Sequence, residues 1–248
     1  MSLLTDLHNH SCLSPCGSLE MSPRLMVEIA SQKELKVMAL TDHNSSLNCP
    51  VFAKLCPRFG IIPIFGMEAT TSEDVHALCL FTSLEASLAF SDYAYSILTP
   101  YLNNPQKMGD QVYVDENDNI KGEVDYYLVN PLELSIYTLG PKVAEYGGIV
   151  IPAHVDRAAF SMASQLGMVA EGPWAAVECV RLPAVFNGLP LDTLGYPITT
   201  SSDAHYPEHI CRRSFELDVT AEELQPHGPG TEADMEAFKR ALEKRQRS

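Results

Sequence analysis

The sequence has 248 residues and is 46% hydrophobic, which is enough to bury the core of a single domain over residues 1–248. Its 17 Lys and Arg residues are outnumbered by 32 Asp and Glu residues, so the formal net charge is −15. Duplex nucleic acid is bound by neutralising its phosphates, so this charge argues against a duplex partner, whereas a site that holds cations still accepts a small phosphate.

Short apolar segments that resemble strands alternate with helical segments along most of the chain. The predicted strands cover residues 3–10, 37–41, 61–65, 75–81, 149–153, 175–180 and 198–200. Ser22-Pro23 is typical of a helix start, and Gly147-Gly148 is typical of a helix stop. This alternation predicts an α/β fold in which βα units build a parallel sheet.

Two segments depart from this alternation. Residues 111–128 contain the acidic run D-E-N-D-N, and we interpret them as an inserted β-hairpin. A calcium loop is not favoured, because the required glycine and terminal glutamate are missing at the required spacing. Residues 232–247 combine mixed charge with the apolar residues Met235, Phe238 and Leu242, which predicts a C-terminal surface helix.

The sequence also contains features that indicate the cellular compartment. No apolar run reaches the roughly 18 residues that suggest a membrane span, and the N-terminus lacks the basic region of a signal peptide. Seven cysteines are an odd number and include no C-x-x-C pair, which argues against a secreted disulfide framework. We therefore expect a cytoplasmic protein without a membrane partner, and the oligomeric state is left open.

Six of the eight histidines lie in short motifs near the ends of predicted strands. The motifs are D-L-H-N-H-S (His8, His10), T-D-H-N (His43), G-M-E-A-T-T-S-E-D-V-H (Glu68, His76), P-A-H-V-D-R (His154) and S-S-D-A-H (Asp203, His205). Residues two apart in a strand point to the same side, so His8 and His10 can reach one metal ion together. Imidazole and carboxylate suit zinc, iron or manganese, and the strand ends of a parallel barrel meet at one face. The motifs therefore predict a metal centre at that face.

As an ordered set, from Asp6 to His205, these motifs resemble the PHP (polymerase and histidinol phosphatase) family of metal-dependent phosphoesterases. The resemblance implies a distorted (β/α)7 barrel that holds two to three divalent ions. By position it implies three ligand groups, which are His8, His10, Glu68 and Asp203, then Glu68, His76 and His154, and finally His43 and His205.

The resemblance also suggests roles for neighbouring residues. The third ion usually has another ligand after the first motif, and Cys16 stands at about that place, either as a ligand that favours zinc or iron over manganese or as a structural cysteine. Asp6 and Asp42 are expected to orient histidines by hydrogen bonds. Arg157, and as a weaker candidate Arg181, are expected to bind a substrate phosphate.

The expected reaction is hydrolysis of a small-molecule or nucleotide phosphate ester by metal-bound hydroxide, with Asp203 as the candidate catalytic proton acceptor. Whether the substrate is a monoester or a diester is left open. Three alternatives also remain open at this point. They are an exonuclease on short oligonucleotides, a metal-dependent amide or lactone hydrolase, and a non-catalytic metal-binding regulatory module.

Overall fold

The computed structural model describes residues 2–245 of the chain. The strands are β1 (Leu3–Asp6), β2 (Val37–Leu40), β3 (Ile62–Thr70), β4 (His76–Phe81), β5 (Val112–Val114), β6 (Ile120–Glu123), β7 (Ile149–Pro152), β8 (Val177–Glu178), β9 (Val185–Phe186), β10 (Leu189–Pro190), β11 (Ile198–Thr199) and β12 (Phe215–Leu217). The α-helices are α1 (Pro23–Gln32), α2 (Cys49–Leu55), α3 (Leu84–Ser96), α4 (Pro105–Met108), α5 (Ile136–Glu145), α6 (Met162–Leu166), α7 (Ala221–Leu224) and α8 (Met235–Glu243). Within the described residues, no helix combines the length and apolar character needed to cross a bilayer.

The central sheet is a curled half-barrel of six strands in the order β12-β1-β2-β3-β4-β7. A separate parallel pair, β8 with β11, is linked to it by single bridges from Trp174 to Val150 and from Ala204 to Asn9. The chain therefore has the mixed α/β fold that the alternating pattern indicates. The finer assignment to a (β/α)7 barrel stays a prediction.

The expectation of a parallel sheet is wrong for β4, which pairs antiparallel with both β3 and β7. Only residues 71–75 separate β3 from β4, whereas a parallel crossover needs a dozen residues or more. Because β4 runs backwards, its first residue, His76, pairs with Thr70 at the end of β3. His76 therefore starts a strand, yet it lies at the edge where the parallel strands end.

The sheet is buried on both faces, as expected for strands that helices cover. In β2, Val37 and Ala39 pack in one cluster with Phe238 of α8, whereas Met38 and Leu40 pack in another with α1 and α2. The predicted C-terminal helix thus contributes a fully buried face to the core. Its residues 246–247 lie outside the described residues.

Within the predicted insert of residues 111–128, β5 and β6 pair antiparallel around an acidic turn. The side chain of Asp115 accepts hydrogen bonds from the backbone of Asn117 and Asn119, which closes the turn. Asn48 accepts a 3.0 Å hydrogen bond from the backbone of Val114. This contact holds the hairpin beside the loop that follows β2, which carries His43.

Candidate metal centre

The structure places all the motif residues at one edge of the curled sheet. His8 and His10 follow β1, His43 follows β2, Glu68 lies in β3, His76 begins β4, His154 follows β7, and Asp203 and His205 follow β11. Residues separated by up to about two hundred positions in sequence thus become direct neighbours. All of them except His205 are buried.

The first ligand group has the spacing of a small coordination shell. His8 Nε2 and His10 Nε2 lie 3.1 Å apart, and they lie 3.6 and 3.4 Å from Asp203 Oδ1. Each also lies 3.3 Å from an oxygen of Glu68. Ligands about 2.0–2.1 Å from a tetrahedral ion are separated by roughly 3.4 Å, so these four side chains can surround one ion.

Glu68 contacts histidines through both of its carboxylate oxygens. Oε1 lies 2.9 Å from His76 Nδ1 and 3.0 Å from His154 Nε2. Oε2 lies 3.3 Å from His10 Nε2 and 3.3 Å from His43 Nδ1. A carboxylate with different histidines at each oxygen has the arrangement needed to bridge two ions.

A third group lies on the outer side of this cluster. Nitrogens of His10, His43 and His205 are close enough together to share an ion. His205 Nε2 also lies 3.1 Å from Cys16 Sγ. Desolvation by the surrounding protein, helped by the charge of Glu68, raises the pKa of the Cys16 thiol to about 12, although part of the side chain reaches solvent. Cys16 is thus adjacent to the third group, as a neutral thiol when no ion is bound.

Unpaired buried nitrogens support a fit to metal ions. Among the described residues, His154 Nδ1 and His76 Nε2 are buried without a hydrogen-bond partner, whereas His43 Nδ1 and His76 Nδ1 are buried and face Glu68 oxygens without hydrogen-bond geometry. Leaving a buried polar atom unpaired costs about 1–3 kcal/mol. Nitrogen donors that face carboxylate oxygens at these distances fit divalent transition ions, for which both are ordinary ligands.

The electrostatics of the cluster also favour cations. Burial raises the pKa of Glu68, but the neighbouring histidines outweigh it and hold the pKa well below its usual value. Burial holds the pKa of His43 well below that of a free imidazole. Burial lowers the pKa of His8, but nearby carboxylates, led by Glu178, raise it well above its usual value. The centre therefore favours ionised carboxylate, and these carboxylates stabilise positive charge at the position of the His8 ring.

Asp6 and Asp42 act on the centre through serines. Asp42 accepts hydrogen bonds from Ser11 and Ser14, and the Ser14 hydroxyl lies 3.0 Å from His10 Nδ1. Asp6 accepts from the backbone and the hydroxyl of Ser202, next to Asp203. Asp42 is thus linked to a histidine ring through one serine, and Asp6 holds the backbone beside Asp203.

Sequence reasoning missed Glu178, the last residue of β8. Its carboxylate lies 3.0 Å from His8 Nδ1 and accepts a 3.1 Å hydrogen bond from the backbone N–H of His154. The one available signal was an acid in the otherwise apolar predicted strand of residues 175–180. A buried acid in such a strand requires a polar partner, but its identity depends on tertiary structure.

Two of the candidate ligands have strained backbones. His154 and Asp203 have positive φ angles of 31° and 47°, a region that residues other than glycine rarely adopt. Arg212 donates hydrogen bonds to the carbonyls of Ser202 and Asp203, which fixes the second strained position. Strain of about 1–3 kcal/mol that the surroundings enforce is typical of functional sites.

The two arginines differ in position. Arg157 Nη1 lies 2.9 Å from Asp203 Oδ2, and 46% of the Arg157 side chain is exposed at the mouth of the centre. Arg181 is exposed, and its backbone N–H donates to Asp156. Arg157 therefore lies at the centre, while the contact that fixes Arg181 involves its backbone.

The family model of the PHP domain matches residues 6–143, which is more than half of the chain. The chain belongs to the PHP domain family, as the motif resemblance indicates. No match to the chain was found among the curated proteins.

Solved structures share this fold at low sequence identity. The lesion-specific endonuclease PfuEndoQ of Pyrococcus furiosus has a TM-score of 0.59 and 18% identity, covering 98% of this chain and 56% of its own. A putative metal-dependent phosphoesterase of Bifidobacterium adolescentis has a TM-score of 0.55 and 17% identity, covering 96% and 95%. The chain thus spans little more than half the length of the endonuclease, and identities this low establish the fold alone.

The prediction, made from net charge, that the protein has no duplex nucleic acid partner is wrong. An endonuclease Q complex with a 27-mer duplex that carries an abasic lesion has a TM-score of 0.60 to this chain, with 18% identity and coverage of 98% and 56%. A protein that shares this fold therefore binds a duplex. Net charge is a sum over the whole surface and does not describe the local field at a site that holds cations.

Proposed function

We propose that the chain is a metal-dependent hydrolase that cleaves phosphate esters at the centre around Glu68. The observation that carries this proposal is the contact of both Glu68 oxygens with separate histidines, an arrangement that would suit two metal ions sharing one carboxylate. Two to three zinc, iron or manganese ions would be held by the side chains His8, His10, His43, Glu68, His76, His154, Asp203 and His205, with Cys16 beside the third. When bound, such ions acidify water and offset negative charge on phosphoryl oxygens.

The side chains at the mouth then have separate tasks. Asp203 presents Oδ1 to His8 and His10 and Oδ2 to Arg157. An incoming phosphate can replace Asp203 as the partner of Arg157, because a guanidinium matches phosphate oxygens in a bidentate geometry. Asp203 Oδ2 is then free to accept a proton at the edge of the centre, and Arg157 holds the substrate.

The proposal leaves the ester class to be measured. Metal-reconstituted protein is assayed against phosphate monoesters, phosphodiesters, nucleotides, and single-stranded and duplex oligonucleotides with and without an abasic site. Amide and lactone substrates complete the panel, because a hydroxide activated by metal ions would also attack a carbonyl carbon. Hydrolysis of a phosphoester that is lost in Glu68→Gln supports the proposal.

Other outcomes identify the alternatives. Cleavage confined to amides or lactones, or no turnover by metal-loaded protein, would overturn the proposal and indicate an amide hydrolase or a regulatory module. Oligonucleotides are included because the endonuclease described above has this fold over nearly all of the chain.

A further inference from the structure

Glu178 is the buried acid of the centre that lies outside every sequence motif and outside the residues matched by the family model. Only 2% of the residue is exposed. Its neighbours in β8 and the following segment, Val177 and Cys179, are buried and apolar. A carboxylate in this position requires strong polar partners, since an unpaired buried charge is strongly unfavourable.

The partners of Glu178 belong to two different ligand groups. Oε1 lies 3.0 Å from His8 Nδ1 and 3.1 Å from the backbone nitrogen of His154, and Oε2 lies 3.3 Å from His8 Nδ1. The backbone carbonyl of Glu178 accepts a further 2.8 Å hydrogen bond from Val155. One residue of β8 therefore holds both a histidine ring from the β1 end and the strained backbone that follows β7.

These contacts determine which atoms face the ions. A hydrogen bond from His8 Nδ1–H to the carboxylate leaves His8 Nε2 unprotonated, with its lone pair available to a metal ion. Nε2 is the atom next to His10 and Glu68. The bond from His154 N–H stabilises a φ angle of 31°, which directs the His154 ring toward Glu68. A carboxylate behind an imidazole also makes its free nitrogen a stronger metal donor.

We propose that Glu178 is a positioning residue that fixes His8 and His154 together, so that one carboxylate controls two ion positions at once. This inference rests on the metal centre of the proposed function, but not on the substrate. The negative charge of Glu178 strengthens His8 as a metal ligand, and its hydrogen bond from the His154 backbone sets the direction of the His154 ring. The position served by His205 lies away from both contacts and is independent of Glu178.

The test uses Glu178→Gln and Glu178→Ala in the full chain, with Asp156→Asn as the matched control. Asp156 accepts hydrogen bonds from Val180 and Arg181 in the same region. Glutamine keeps the oxygen that accepts both hydrogen bonds and removes the charge, so the isosteric variant remains informative if the alanine variant fails to fold. Zinc affinity is measured by chelator competition, coordination by the absorption spectrum of the Co(II) form, and the His8 tautomer by ¹⁵N NMR of the zinc-bound protein, in which the ring is neutral.

We expect Glu178→Gln to weaken metal binding about 10- to 100-fold, the usual cost of losing such a partner. The Co(II) spectrum should change, the His8 tautomer should become mixed, and the metal-free stability should stay near that of the parent. Asp156→Asn should bind metal like the parent. Unchanged affinity and tautomer in Glu178→Gln, or an equal loss in Asp156→Asn, would overturn the proposal. Metal binding that depends on Glu178 without turnover of any phosphoester would refute the proposed reaction alone.

Discussion

At the scale of single residues, Glu68 is the side chain on which the centre depends most. Its two oxygens lie within 3.3 Å of five histidine nitrogens from four strand ends. Each histidine can be removed with loss of one donor, whereas loss of this carboxylate removes a donor from two ligand groups and a buried negative charge. Substitution of Glu68 therefore distinguishes a shared metal centre from a set of independent metal sites.

We expect Glu68→Gln to lose metal at two positions together, with a fall in affinity larger than the roughly 10- to 100-fold expected for an outer partner. His76→Ala should mainly empty one position, because its nitrogen faces a single oxygen of Glu68. Metal content by elemental analysis after dialysis is the measurement. Glu73→Gln, five residues along the chain, should keep full metal, and full metal in Glu68→Gln would show that no bridge exists.

Cys16 allows a second residue-scale prediction. Its sulfur lies 3.1 Å from His205 Nε2, and a bound ion would convert the neutral thiol to a thiolate by lowering its pKa. Cys16→Ser should therefore lower zinc occupancy next to His205 alone, and Cys16→Asp should shift preference toward manganese. Anomalous scattering at each metal edge measures this, and an ion more than about 2.3 Å from the wild-type sulfur would contradict ligation.

The ligand candidates could be predicted because each motif is local. H-x-H, D-H and D-x-H spacings are visible in a few residues, and His8 and Asp203 needed no knowledge of the fold to be noticed. Glu178 could not be assigned in the same way, because its partner His8 is 170 residues distant. Contacts made across the sheet leave no periodic signal in the sequence.

At the scale of elements, strand locations were predicted better than strand directions. Apolar runs correctly located β1, β2, β4 and β7 to within a few residues. The prediction missed β12, and β3 continues to Thr70, past the apolar run that marked its start. The direction of β4 is set by the length of its connection, and the consequence is that His76 joins the centre from the start of a strand.

Helix α5 is tied to the β3–β4 connection by Glu73, which supports a pH prediction. Glu73 accepts hydrogen bonds from the hydroxyl of Ser135 and from the backbone of Ile136 at the helix start. Partial burial raises the pKa of Glu73, but these hydrogen bonds outweigh it and hold the pKa below its usual value. A carboxylate at a helix N-terminus contributes about 0.3–1 kcal/mol.

The sign follows from the lowered pKa of Glu73. Its stabilisation is complete above the unfolded-state pKa of roughly 4.3 and is lost as the pH falls through the lower folded-state pKa. We expect Glu73→Gln to destabilise metal-free protein by about 0.3–1 kcal/mol at pH 7, with the difference shrinking below about pH 4.5. Urea unfolding across this range is the measurement. A difference that persists unchanged into acid would contradict the role, and the exposed Glu133→Gln should show no such trend.

At the scale of the whole molecule, the chain carries a net charge of −15, and the centre gathers carboxylates in a buried site that requires balancing positive charge. The core of the centre combines Glu68, Asp203 and Glu178 with six histidines from five strand ends, all within a few ångströms. Without ions, part of the balancing charge must come from protonated histidine, which burial disfavours. With ions, the carboxylates are neutralised and the unpaired histidine nitrogens acquire a partner. Metal is therefore expected to stabilise the fold as well as the reaction.

Metal removal tests this connection between the centre and the fold. Ligand groups from β1, β2, β3, β4, β7 and β11 meet at one edge, so an ion ties β11, which lies outside the central sheet and is joined to it by a single bridge, to the strands of that sheet. An ion present at 100 times its dissociation constant adds about 2.7 kcal/mol, because the unfolded chain has no such site. For a chain of this size, removing it should lower the melting temperature by about 5–10 °C. Zinc or manganese added back should restore the melting temperature in the parent but not in Glu68→Gln. A melting temperature that is the same with and without metal would mean that the ligand groups are held entirely by the protein.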